Sequence, residues 1–410
     1  MSVKPYQSKA VRAWNLMARI LPVETLSPHL SLDDIISSAI RTAGHSDFGS
    51  VDVLDGLARL VVALAETADL HPFGKFYTKK VITGLLINRL RLNKLWQQHA
   101  EIVSNKIESP LIILGLPRTG TSLLVNLLSK APEHRYLANW ETTVSQVPPE
   151  GNYSLADDPR RKQGQFLMKF QDYLVPQMKN MHEFHFDGPE ECTPLLMQSF
   201  TTKAFSEMYE IPGYFKWLEN ASHKETYRHH KRILQTLQWK YPGRRWLLKS
   251  PLHMEAIHDL LETYPDACLV QTHRDPVKVV PSYASLCATF RGITKASIDP
   301  HKMGEYVMTS WSSYLRTYLH SRSQLDQSRF IDIQYSSLKS DPIGTVEQIY
   351  EYFGFPLSVE AKNSMQHFLA LQQSRKSTHF YTARDYGLTP ALIRDSFKDY
   401  IDLFSIPLEQ

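Results

Sequence analysis

Two stretches of this 410-residue chain carry residue types at spacings that suit chemistry. The first is Gly115-Leu116-Pro117-Arg118-Thr119-Gly120-Thr121-Ser122, a Gly-x4-Gly loop followed by two hydroxyls. Gly120 permits a tight turn, and the amides of Gly120, Thr121 and Ser122 open a helix N-terminus, so donors and dipole converge on an anion. Thr121 stands where a nucleoside-triphosphate loop carries its lysine. The loop's cation is instead Arg118, which suits one phosphate with a second anionic group beside it. The plain alternative is a strand-to-helix turn with a surface arginine. The second stretch, Met181 to Cys192, holds His182, His185 and four carboxylates, including Glu190 and Glu191. A neutral imidazole with a pKa near ~6.5 suits removal of a hydroxyl proton. Glu190, in the first turn of a helix opening at Pro189, would be kept ionised by the dipole and orient a histidine. The candidates for a base therefore run His182, Glu190, His185, with His253 in reserve. A helix start flanked by surface histidines is the simpler reading.

The elements that must position these groups are legible as patterns. Pro110–Gly115 is a short apolar run suited to a buried parallel strand, followed at once by a helical pattern over Thr121–Leu128. Trp246–Leu248, Ala267–Val270 and Phe330–Ile333 read the same way. Each precedes a helix, at His253–Leu261, near Val277–Ala288 and at Gly344–Tyr352. Strands alternating with helices imply right-handed crossovers and a doubly wound parallel sheet, whose ligands bind at the carboxyl ends of strands. The first hundred residues read as helices over Val11–Leu21, Leu32–Ile40 after a Ser31 cap, Val53–Leu64 and Val81–Trp96, with Pro72–Gly74 as a break. Residues from Arg135 to Tyr241 form a long, mostly helical insertion rich in aromatics, which line an acceptor pocket or fill the core. His229-His230 and Lys231-Arg232 read as the solvated face of a helix.

Composition narrows the class. With 46 Lys+Arg against 42 Asp+Glu, the net charge of +4 points to neither a nucleic-acid binder nor a membrane-surface protein, so any anion site is local. Three cysteines without metal-ligand spacing argue for a reducing compartment. The first residues lack the apolar core of a signal peptide, and no window approaches the ~18 apolar residues of a membrane span. A cytoplasmic globular protein is expected.

Pro117-Arg118-Thr119-Gly120-Thr121-Ser122 resembles the 5'-phosphosulfate loop of sulfotransferases that use 3'-phosphoadenosine 5'-phosphosulfate (PAPS). It is similar to the bacterial group with a Pro-Arg-[Ser/Thr]-Gly-Thr-[Ser/Thr] loop. Thr272-His273-Arg274-Asp275-Pro276 with Ser282 resembles the family's 3'-phosphate segment, where Arg274 offers a planar fork. Tyr335 with Asp341-Pro342 resembles the element whose tyrosine faces the adenine, although Ser336-Ser337 replaces the family's acidic pair. Ser374-Arg375-Lys376-Ser377 resembles the basic segment that folds over the cofactor. Arg375 and Lys376 there are a phosphate clamp or a surface pair. His182 with Pro189-Glu190-Glu191 resembles the family's His…Pro-Glu-Glu segment. Asp47-Phe48-Gly49 and Asn88-Arg89-Leu90-Arg91 resemble its helical leader.

The resemblance implies a helical segment over 1–108 and a P-loop-like α/β domain over 109–410, with a substrate-facing insertion about 140–241. It implies in-line transfer of a sulfuryl group from PAPS to the hydroxyl of an alcohol or phenol, leaving 3',5'-ADP and needing no metal. Arg118 would contact the leaving oxygen, with Lys249 on the same sheet edge. A P-loop kinase, or a non-catalytic nucleotide-binding α/β protein, is the competing reading.

Overall fold

The structure is a computed structural model that describes residues 5–21, 23–178, 185–243, 245–372 and 382–409. Four helices come first: α1 Lys9–Ile20, α2 Leu32–Ala43, α3 Asp52–Thr67 and α4 Pro72–Gln98. Ser31 caps α2 as expected, its Oγ accepting from the Asp34 amide at 3.3 Å. Pro72 opens α4 rather than breaking it, because proline lacks only an amide that the first helical turn leaves unpaired. His71 completes that start by accepting from the Gly74 amide at 2.9 Å.

After the short α5 (Ala100–Ser104) come β1 Leu111–Gly115, α6 Thr121–Leu128, β2 His134–Tyr136, α7 Asn139–Thr143 and α8 Arg160–Leu174. The remaining strands are β3 Arg245–Lys249, β4 Cys268–His273 and β5 Phe330–Gln334. All five pair in parallel in the order β2-β3-β1-β4-β5. Alternate side chains of β1 enter two separate cores: Ile112 and Leu114 on one face, Leu111 and Ile113 on the other. A strand covered on both faces must be apolar throughout, which is why β1, β3, β4 and β5 stand out in the sequence. The expected doubly wound parallel sheet flanked by helices is the observed fold.

Three elements differ from expectation. β2 was absorbed into the insertion because a three-residue edge strand, His-Arg-Tyr, has no apolar run to betray it. The helix expected over His253–Leu261 is a 3-10 turn, Pro251–Ala256, followed by a helix over Ile257–Thr263. A helix over Pro300–Ser323 had no sequence counterpart, since its buried side includes Ser310, Ser312 and Arg322.

The N-terminal helices share the core face of β1 with the insertion: Leu57, Leu90, Phe200 and Leu234 belong to one cluster with Leu114. Polar ties reinforce it. Buried Arg89 donates to the Phe48 carbonyl at 2.8 Å and pairs with Glu225 on the insertion helix Lys224–Lys240. No helix among the described residues is long and apolar enough to cross a membrane.

The loop after β1 depends on a close approach. Gly115 has φ +140°, and a Cβ there would lie 2.6 Å from the Thr272 carbonyl of β4. Backbone cannot retreat as a flexible side chain can. Gly115→Ala should therefore cost about 2 kcal/mol or more in urea unfolding. An unchanged midpoint would show that the β1–β4 junction tolerates the methyl.

Candidate active site

At the carboxyl ends of β1, β3 and β4 the loop Gly115–Gly120 is pinned from several sides. Arg118 has φ +69°, a left-handed conformation that costs a non-glycine residue about 1–3 kcal/mol. Two groups from other elements hold it there. Its carbonyl accepts from Arg274 Nη1 at 3.3 Å, and its Nε donates to Ser282 Oγ at 3.1 Å. Thr119 is buried; its hydroxyl donates to the Leu116 carbonyl and shares a hydrogen bond with Thr272, both at 2.6 Å. Gly120 (φ +95°) starts α6 without any side-chain cap, which leaves the first-turn amides for an anion. A Cβ on Gly120 would lie 2.9 Å from the Tyr335 ring, so that ring packs directly on the loop.

Two hollows flank the loop. The first, about 270 Å³, is lined by Pro117, Arg118, Thr121 and Ser122, by Asn139 of α7, and by Glu190 and Glu191. Met178, Met197, Leu252, Leu286 and Phe290 give it an apolar wall. The second, about 410 Å³, is lined by His273, Arg274, Tyr335, Lys339 and Glu409. Arg274 stacks on the Tyr335 ring at 4.0 Å, and its Nε and Nη2 bind the two Glu409 oxygens at 2.8 and 3.1 Å. A carboxylate thus sits in the planar fork assigned to the 3'-phosphate. Backbone contacts keep it there: the Glu409 amide donates to Asp275 Oδ2 at 2.8 Å, and its carbonyl accepts from Arg394 Nη2 at 2.9 Å.

Glu190 departs from expectation. It does not open a helix; the helix begins at Thr193. The segment around it threads between strand ends. Pro189 bridges Ala138, the Glu190 amide donates to the Leu137 carbonyl at 2.8 Å, and the Cys192 amide donates to the Lys249 carbonyl at 2.9 Å. Glu190 Oε2 accepts from Asn139 Nδ2 at 3.1 Å, and Oε1 from the Glu191 amide at 2.9 Å. Part of its surface faces the hollow, yet burial pushes its carboxyl up to about 7, against the pull of Lys249. No helix dipole lowers it. Neighbouring Glu191 instead pairs with buried Lys249 at 2.9 Å, and Lys249 Nζ reaches Ser122 Oγ at 3.4 Å.

The loop residues Pro117–Ser122 with Arg274, Ser282, Tyr335 and Glu190 come together at this sheet edge. His182, Arg375 and Lys376 lie outside the described residues. His185 is exposed in a turn and lines neither hollow. His253 is excluded as a base: it is fully buried beside Tyr227 and His230, and desolvation holds its imidazole well below the ordinary range. His229 and His230, read as a solvated face, are also buried, bonded to Gln198 at 3.2 Å and Tyr264 at 2.8 Å. None of the insertion's described aromatics lines the first hollow. Phe200, Phe205, Tyr209 and Tyr214 fill the core, whereas Phe166, Phe170 and Tyr173 are exposed. Glu409, Asn139 and Lys339 were missed, since only the fold brings them to the loop.

A lysine-free anion loop at a sheet's switch point, with an arginine fork on one side and an apolar hollow on the other, defines a group-transfer enzyme fold of the P-loop-like kind. The sulfotransferase family pattern matches residues 110–359, and the chain belongs to that family. It is similar to the crystal structure of sulfotransferase STF9 from Mycobacterium avium, at 31% identity and TM-score 0.82, over 92% of this chain and 97% of that one. Sulfotransferase STF1 from Mycobacterium tuberculosis H37Rv matches at 30% identity and TM-score 0.76, over 90% and 98%. The omega-hydroxy-beta-dihydromenaquinone-9 sulfotransferase Stf3 of Mycobacterium tuberculosis is 26% identical over 262 residues, 60% of this chain and 63% of its own length. The alignment thus spans somewhat less than two thirds of that relative.

The raised Glu190 carboxyl has a consequence for stability. Between the ordinary value of 4.5 and about 7 the native state holds this proton more tightly than the unfolded chain, so stability falls as pH rises through that window. Glu190→Gln should unfold at a higher temperature than the parent above pH 7, with the gain vanishing towards pH 4.5. An equal shift at both ends would mean that Glu190 ionises normally.

Proposed function

We propose that this chain transfers a sulfuryl group from PAPS to the hydroxyl of a hydrophobic small molecule. The observation that carries the reading is a carboxyl raised to about 7 in the same apolar-walled hollow as Arg118 and the open start of α6. The residues present fit the donor: Pro117–Ser122 cradle its phosphosulfate, Arg274 and Ser282 serve its 3'-phosphate, and Tyr335 its adenine. Arg375 and Lys376 are proposed, on the family resemblance alone, as further cations there. The donor brings the electrophilic sulfuryl group and departs as 3',5'-ADP.

Glu190 takes the proton from the acceptor hydroxyl. A carboxyl held above its ordinary value by burial is a stronger base than an ordinary glutamate. Asn139 and the Glu191 amide fix its two oxygens, which leaves its orientation little freedom. Arg118 and Lys249 supply positive charge where negative charge grows on the leaving oxygen. Glu191 holds Lys249 in place. The wall of Met178, Met197, Leu286 and Phe290 suits an acceptor with an apolar body, of the kind named for the mycobacterial relative. On this reading the chain works in the cytoplasm, where its three free thiols stay reduced.

Incubation with PAPS and a panel of quinols, phenols and long-chain alcohols, read by mass spectrometry, should yield sulfated products. Glu190→Gln should lower turnover roughly 10²–10⁴-fold with 3',5'-ADP affinity kept, and abolish a rate limb rising through about pH 7. If that variant stays active while His182→Ala fails, the base is the histidine and the role given to Glu190 is wrong.

Glu409 occupies the Arg274 fork, so it competes with any phosphate there. Glu409→Gln should tighten 3',5'-ADP in calorimetry and leave adenosine 5'-phosphosulfate nearly unchanged, while Arg274→Ala, which also removes the bond to the Arg118 carbonyl, should weaken both ligands and the bisphosphate far more. Equal effects on both ligands would remove the 3'-phosphate from this fork.

A further inference from the structure

The small net charge conceals a local one. Helices α1 and α8 expose Lys9, Arg12, Arg19, Lys162 and Lys169, and together they contain a single acidic residue, Asp172. The same surface is apolar in stripes. Along α8, Phe166, Phe170 and Tyr173 recur at helical spacing, and Phe166 is 67% exposed. Along α1, Leu16 and Ile20 do the same, flanked by Met17 and Leu21, and Ile20 is 68% exposed.

The two helices meet near their Ala10 and Tyr173 positions. The Ala10 amide donates to the Tyr173 hydroxyl at 3.3 Å, and beneath it Val11, Leu174, Val175 and Met178 share one apolar cluster with Phe73. That cluster reaches the acceptor hollow. Met178 lines the hollow, and Leu286 and Phe290 belong both to its wall and to the packing around the cluster. Gln171, one turn from the exposed Phe166–Tyr173 stripe, lines the hollow as well. An exposed apolar stripe, rimmed by lysine and arginine and continuous with an apolar active-site wall, calls for a partner that is itself apolar beneath an anionic surface.

We propose that the α1–α8 face docks on an anionic lipid bilayer and presents the hollow to an acceptor held in the membrane. Phenylalanine and leucine side chains enter the acyl boundary, while the lysines and arginines meet lipid phosphates. The lipid-acceptor half of the proposal rests on the function proposed above. The docking half rests on the surface alone, and it is measured without donor or turnover.

The full chain is sedimented with vesicles of phosphatidylglycerol mixed into phosphatidylcholine, and with vesicles of phosphatidylcholine alone. Binding to the first, falling steeply with salt, is expected, with little to the second. Lys162→Glu with Lys169→Glu should weaken partitioning roughly tenfold or more, and Phe166→Ser with Phe170→Ser comparably. Thermal unfolding checks that these exposed substitutions leave the fold intact, and turnover on a short water-soluble phenol should be unchanged. Absence of binding to anionic vesicles, or equal binding by the variants, overturns the docking. A dimer in sedimentation velocity that the phenylalanine pair dissolves would assign the face to a second copy and overturn it as well. Vesicle binding without transfer to any hydroxyl would instead contradict the proposed function and leave the docking standing.

Discussion

The site hangs on the hydrogen bond between Arg274 of the β4 end and the carbonyl of Arg118. That bond, with Ser282 on the Arg118 side chain, keeps a non-glycine residue left-handed and turns the loop so that its guanidinium and the α6 amides serve one hollow. It also couples the two hollows. The fork that binds an anion in one is the group that shapes the loop lining the other. Occupation of the fork, by Glu409 or by a phosphate, therefore bears directly on the geometry of the loop.

The second constraint is the path of residues 188–192. Backbone hydrogen bonds to the ends of β2 and β3 lock two adjacent carboxylates into different environments. Glu191 pairs with the buried ammonium of Lys249, whereas Glu190 accepts neutral hydrogen bonds from Asn139 and the Glu191 amide. Desolvation raises the Glu190 carboxyl even with Lys249 pulling the other way. Two residues of the same type thus meet different surroundings through placement alone.

How much was legible in the residues follows from what burial does to a sequence. Strands covered on both faces read as apolar runs, and the Gly115–Ser122 loop stands out because its glycines and hydroxyls sit where a tight turn meets a helix start. β2 was invisible because an edge strand of three residues needs no such run. Glu190 drew attention for its type, but its environment was misjudged: a Pro-Glu-Glu run looks like a helix start, and only the threading between strand ends reveals a half-buried carboxyl. His253 and the His229-His230 pair failed for the converse reason, since histidines buried with one ring nitrogen bonded carry no mark of it in the sequence. Charge told a similar story. A chain-wide balance near zero said nothing about where the cations lie.

The central claim is that the loop and fork are built for a 3',5'-bisphosphate rather than a metal-bound triphosphate. Calorimetric titration of the full chain in chelator-treated buffer, with 3',5'-ADP, with 5'-AMP and, in a separate magnesium buffer, with ATP, tests it most directly. The account predicts micromolar binding of 3',5'-ADP without magnesium, and far weaker binding of 5'-AMP and ATP. Preference for ATP with magnesium, or equal affinity for 3',5'-ADP and 5'-AMP, would contradict it.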